Sequence, residues 1–139
     1  LAAVGRKLDA AEVEQMHRLK TGALLSCSIE LAAHAAASLA SGLAHGTAAN
    51  LRTFGEQLGL AFQIVDDLLD VEGDAALLGK ATGADAARDK PTYPAAVGVA
   101  AAKAKAAELT AAALEALQPF GAAGMELAGL ARFVIQRAY

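Results

Sequence analysis

The residues best suited to chemistry are Gln63, Asp66, Asp67 and Asp70, set in a run that is otherwise apolar from Leu58 to Val71. At 3.6 residues per turn, these side chains fall within an arc of about 100° on a helix. Leu58, Leu60, Ala61, Phe62, Ile64, Val65, Leu68, Leu69 and Val71 cover the rest of the circumference. A helix that is apolar on most sides is packed on most sides, so its acidic strip faces a cavity, a ligand or a narrow wet face. The competing reading is an ordinary solvated face, since Arg52, Glu56 and Gly59 extend the strip upstream. Two costs weigh against it. Like charges at i,i+4 destabilise a helix by about 0.2–0.5 kcal/mol per pair. A helix ending near Gly73 would also bring the acids towards its negative end, where cations are favoured. No Lys or Arg stands between Arg52 and Lys80 to compensate. The arrangement is poor for stability and good for holding a divalent cation.

Ligand type narrows the cation. His17, His34 and His45 have no partner at zinc spacing, and Cys27 is the one cysteine. A di-iron site of the ferritin kind wants two Glu-x-x-His pairs, and Glu14-Gln15-Met16-His17 is the one such run; a calcium loop of the EF-hand kind is missing. A few carboxylates on a rigid helix, with room for water, suit Mg²⁺ shared with phosphate oxygens. Lys20, Lys80 and Lys90 would add point charges for the same phosphates. For Lys20 alone, a solvated surface lysine is the equal alternative.

The elements that must position these residues read as helices. Asp9 followed by Glu12 is a helix start, with Val13, Met16 and Leu19 at helical spacing after it. Lys20-Thr21-Gly22 punctuates the pattern, and an Ala/Leu-rich helix resumes from about Ala23 to Leu39. A turn at 41–46 precedes a helix capped at Thr47, which runs for about 25 residues and carries the acidic strip. A long loop bounded by Gly73, Gly79 and Gly83 closes on Pro91-Thr92-Tyr93-Pro94. Loops of that length inside compact domains are usually functional. Tyr93 or Pro94 opens a short helix, Ala101 to Leu117 forms another, and Pro119-Phe120-Gly121 ends it. The last helix, from about Gly124 to Arg137, is expected to turn Met125, Leu127, Leu130, Phe133 and Val134 inward.

Composition agrees with an all-α domain occupying residues 1–139. The chain is 55% hydrophobic, rich in Ala and only 4% aromatic, which favours close-packed helices over sheet. A net charge of −3 gives no basic footprint for nucleic acid. His34, Gln63 and the carboxylates interrupt the apolar stretches before the roughly 20 residues that a membrane span needs. No secretory leader pattern is expected, and the single cysteine fits a reducing, cytoplasmic setting.

The wider context of the acidic strip resembles a known family. Phe62-Gln63-x-x-Asp66-Asp67-x-Leu69-Asp70, Gly73-Asp74, Leu78-Gly79-Lys80, Gly83-Ala84-Asp85 and Lys90-Pro91-Thr92-Tyr93-Pro94 are similar to the trans-isoprenyl diphosphate synthases. His17-Arg18-Leu19-Lys20-Thr21-Gly22-Ala23 and Ile135-Gln136-Arg137 match in order, and the bacterial farnesyl diphosphate synthases look nearest. The resemblance implies part of an antiparallel helical bundle of the isoprenoid synthase type, corresponding to its C-terminal half. It implies that Asp66, Asp67 and Asp70 hold the allylic diphosphate through Mg²⁺, and that Lys20, Lys80 and Lys90 contact that diphosphate. Thr21 and Gln63 would lie beside the reacting allylic carbon, in contact with diphosphate and stabilising positive charge. Lys20, Thr21 and Gln63 are thus the implied catalytic residues. The implied reaction ionises an allylic diphosphate, adds isopentenyl diphosphate to the cation and loses a proton, giving a longer trans product. A homodimer is implied for the whole enzyme.

The family's first aspartate-rich motif does not occur in these 139 residues, and Asp89 stands where bacterial members often have Gly. The chain alone is therefore expected to be inactive and to expose apolar helix faces. The alternative from a different class is a catalytically silent helical module that binds diphosphate or a partner chain without turnover. A terpene cyclase fits less well, because cyclases do not usually carry the contexts around Lys20-Thr21 and Lys90-Pro91-Thr92-Tyr93.

Overall fold

The computed structural model describes residues 8–39, 46–77 and 91–136. Every regular element among them is helical. In chain order they are α1 (Ala10–His17), a π-helical turn (Arg18–Gly22), α2 (Ala23–Leu39), α3 (Thr47–Leu77), α4 (Tyr93–Val97), α5 (Val99–Ala116), a 3₁₀ segment (Gln118–Gly124) and α6 (Met125–Gln136).

α1 starts where the sequence placed it. The Asp9 carboxylate accepts from the Glu12 N–H at 2.9 Å, and the Glu12 carboxylate accepts from the Asp9 N–H at 3.0 Å. This reciprocal cap satisfies donors that the first turn would otherwise leave open. Lys20-Thr21-Gly22 does not break the helix; it widens one turn, so that α1 and α2 are joined through a π-helical insertion. Single π turns inside α-helices recur at functional sites.

α3 is the central element, and α1, the π turn, α2, α4, α5 and α6 all pack on it. Phe54, Leu58, Leu60, Ala61, Ile64, Val65 and Leu68 are buried, as expected of a helix apolar on most sides. It is longer than expected, 31 residues, continuing past Gly73 to Leu77. Asp66 and Asp67 therefore lie well before its last turn, out of reach of the helix dipole, whose effect fades within one turn.

α2 and α3 run antiparallel and unusually close. A Cβ on Gly59 would stand 2.8 Å from Gly22 Cα, and one on Gly55 would stand 3.0 Å from Ser26 Cα. Arg52 pairs with Glu30 at 2.7 Å farther along the same hairpin, an exposed contact worth little by itself. Gly59 is thus a packing residue under the π turn, not part of a solvated face.

α5 lays Ala102, Ala106, Leu109 and Ala113 into the core, an i, i+4, i+7, i+11 stripe. Gly98, at φ 88°, makes the turn from α4 that lets it do so. α6 departs from expectation. Its inner side is Leu127, Ala131 and Val134, while Met125, Leu130 and Phe133 are 67%, 49% and 61% exposed. The helix carries two apolar faces, and the small side chain of Ala131 permits the closer approach. Leu24 and Leu31, i,i+7 on the outer face of α2, are also exposed, as expected for an uncovered apolar face. No helix among the described residues is long and apolar enough to cross a membrane.

Candidate functional site

The acidic strip is organised by where α1 and the π turn meet α3. Gly59, Gln63 and Asp67 follow one another at i, i+4, i+8 along one stripe of that helix. Gly22, at the end of the π turn, rests on Gly59, and His17, just before the turn, bonds Asp67. Lys20 and Thr21 lie between those two fixed points, on the stretch that runs alongside Gln63. Residues some forty positions apart in sequence thereby share one face.

Gln63 is buried, Asp66, Asp67 and Thr21 are half-buried, and Lys20 and Asp70 are exposed. The strip therefore opens outward from a buried amide to an exposed carboxylate. Lys80 and Lys90 lie outside the described residues.

Asp67 has partners that the pattern of charges did not suggest. Its Oδ2 accepts from the Tyr93 backbone N–H at 2.8 Å and lies 2.9 Å from His17 Nε2. The Tyr93 hydroxyl donates to Glu14 Oε1 at 3.1 Å, and Arg18 lies 4.0 Å from the same carboxylate group. His17 is 3% exposed, and its Nδ1 meets no hydrogen-bond partner among the described residues. Leaving a buried polar atom unpaired costs about 1–3 kcal/mol, so the Asp67 contact must outweigh it. The partners of the strip come from other helices, as hydrogen-bond donors to Asp67. A signal existed: Val13 and His17 are i,i+4 on the inward face of α1.

Burial, reinforced by the hydrogen bond to Glu14, pushes the Tyr93 phenol above its ordinary value of 10.0. A raised acid keeps its proton longer, so the Tyr93–Glu14 bond persists as pH passes 10.0 and is lost only above the shifted value. Spectrophotometric titration is expected to show one tyrosine ionising late, and Tyr93→Phe to remove that step. A late step that survives in Tyr93→Phe would show that another tyrosine causes it.

Among the described residues, no group of three or more carboxylate, imidazole or thiol side chains gathers closely enough to form a complete metal cage. The donor set still fits Mg²⁺, which is commonly held by one or two carboxylates together with substrate phosphates and water. Asp66 and Asp70, at i,i+4 on one face, supply two such carboxylates. Asp67 has both acceptor directions of Oδ2 engaged by protein.

Known proteins are similar to this chain in sequence and in fold. The polyprenyl synthetase family model matches residues 3–119. The farnesyl diphosphate synthase of Escherichia coli (strain K12) is 38% identical over 99% of this chain, which covers 46% of that protein. The Haemophilus influenzae farnesyl diphosphate synthase is 39% identical over 95% of the chain, which covers 43% of it. A crystal structure of a candidate farnesyl-diphosphate synthase from Marinomonas sp. MED121 superposes with a TM-score of 0.76 at 29% identity, over 96% of this chain and 43% of that one. The chain spans less than half the length of the curated relatives it matches.

Proposed function

Since this chain belongs to the polyprenyl synthetase family, we propose that it forms one wall of a prenyltransferase site that condenses isopentenyl diphosphate with an allylic diphosphate, giving farnesyl diphosphate. The observation that carries this is the pinning of the Lys20–Thr21 turn against the Gln63–Asp67 face by Gly59 at one end and Asp67 at the other.

In this reading Asp66 and Asp70 hold Mg²⁺, whose bound charge would stabilise the departing diphosphate. Lys20, Lys80 and Lys90 bind the same diphosphate as fixed positive charges. Thr21 and the buried Gln63 orient its bridging end and place amide and hydroxyl dipoles beside the developing allylic cation. Lys20 is exposed in this structure, so it can reach a ligand lying over the strip. The exposed apolar stripe of α2, Leu24 and Leu31, begins one turn from Lys20 and offers a dry lining for hydrocarbon once covered. The reading also includes a cytoplasmic setting and a homodimer of the whole enzyme.

The test is a chimera in which this chain replaces the matching segment of the Escherichia coli relative. It is expected to make farnesyl diphosphate from geranyl and isopentenyl diphosphates only when Mg²⁺ is present, whereas the 139 residues alone give no product. A folded chimera without turnover would count against the reading. Turnover by the isolated chain would show that the second wall is not required.

A further inference from the structure

Three segments of the chain meet at a single atom, Asp67 Oδ2. His17 reaches it from the end of α1, and the Tyr93 N–H reaches it from the first residue of α4. Tyr93 is held a second time, through its hydroxyl, by Glu14, three residues before His17. α1 and α4 are therefore pinned to each other as well as to α3. Lys20 and Thr21 follow His17 within the next turn, so the same joint sets where they stand.

The histidine is informative because it is costly. It is 3% exposed, and its Nδ1 is buried without a hydrogen-bond partner among the described residues. An apolar side chain beside the buried Val13 would avoid that orphan nitrogen. What the imidazole adds is its hold on Asp67. Oδ2, already accepting from two nitrogens, is poorly disposed to take a cation, so a cation could reach Asp67 through Oδ1 alone.

We propose that His17 and Asp67 are positioning residues. They lock the Lys20–Thr21 turn and the start of α4 in register with Asp66 and Asp70, and Asp67 serves the protein rather than the metal. This revises the expectation that all three aspartates are ligands. Its ligand-binding arm rests on the diphosphate reading above; its structural arm does not.

Both arms can be read by NMR on the 139-residue chain, titrated with Mg²⁺ and inorganic diphosphate while amide exchange is followed at Tyr93. In His17→Ala and Asp67→Ala, Tyr93 exchange should accelerate and diphosphate affinity should fall about 10- to 100-fold, the scale seen when groups that orient metal ligands are removed. Asp67→Asn keeps an acceptor towards Tyr93 and His17 but offers no carboxylate to a cation, and it should recover most of both properties. Asp66→Asn should lose affinity while Tyr93 stays protected. Should His17→Ala fail to fold, His17→Gln, which retains a side-chain N–H, should keep Tyr93 protected. An Asp67→Asn variant as weak as Asp67→Ala, with Tyr93 protected in both, would overturn the proposal and make Asp67 a ligand. If the unaltered chain takes up no Mg²⁺–diphosphate without the second wall, diphosphate affinity of the same variants is compared in the chimera, and a folded chimera that also takes up none ends the diphosphate reading. Tyr93 exchange then decides the joint alone: loss of protection in Asp67→Ala supports it, and unchanged protection overturns it.

Discussion

Asp66→Ala, introduced into the chimera that carries this chain, is expected to lower kcat by about 10²–10³-fold, the range for removing one preorganised electrostatic contact to a developing charge. Asp66 is half-buried on the acidic face of α3, one turn from Asp70 and directly after a buried stretch that fixes its backbone. Its side chain is not part of the hydrophobic cluster, so the substitution should leave the helical circular dichroism signal nearly unchanged. Single-turnover kinetics against Mg²⁺ concentration would separate the effects. If Asp66 holds the cation, extra Mg²⁺ recovers part of the rate. A folded variant with near-normal kcat would remove Asp66 from the site.

Gly59→Ala should damage the fold itself. The added Cβ would lie 2.8 Å from Gly22 Cα and 3.4 Å from Gly22 O, both backbone atoms that cannot rotate away. α2 and the π turn would have to move off α3, a strain that in packed interiors costs about 1–3 kcal/mol. Melting should fall by several degrees, and Gly59→Val should be worse. Gly129→Ala is the control. Nothing lies within 4 Å of a Cβ at that mid-helix position, so that change should be neutral or raise stability by about 0.5–1 kcal/mol. Equal melting of Gly59→Ala and the unaltered chain would mean that the two helices are not held at this separation in solution. Because the same displacement carries Lys20 and Thr21 away from Gln63, Gly59→Ala should also weaken diphosphate binding without touching a charged group.

How far the helices could be read depended on how local their causes are. The capping box at Asp9 and Glu12 involves residues three apart, and it lies where the pattern put it. α4 likewise opens at Tyr93, one of the two starts expected for it, with the Thr92 hydroxyl accepting from the Ala95 N–H at 3.3 Å. α6 shows the limit. Its apolar residues cover two faces, and periodicity cannot say which will be covered. Met125, Leu130 and Phe133 are left outside because Ala131 and Val134 give α3 and α5 the closer fit. α3 runs past its expected end for a related reason: Gly73 weakens a helix without ending it, at a cost of about 1 kcal/mol that neighbouring turns can absorb.

The acidic strip shows the same division. By itself the sequence determined that Gln63, Asp66, Asp67 and Asp70 share one face of an otherwise apolar helix, because a 3.6-residue period requires it. It also placed Lys20 and Thr21 in a stretch that interrupts a helix. Tertiary structure alone decided what that interruption is and what it lies against. It made the interruption a π turn seated on Gly59, and it gave Asp67 two partners, 50 and 26 residues away in the chain. Contacts of that separation leave no periodic trace. They depend on how closely two backbones approach, which here is set by Gly59 against Gly22 of the π turn and by Gly55 against Ser26 of α2.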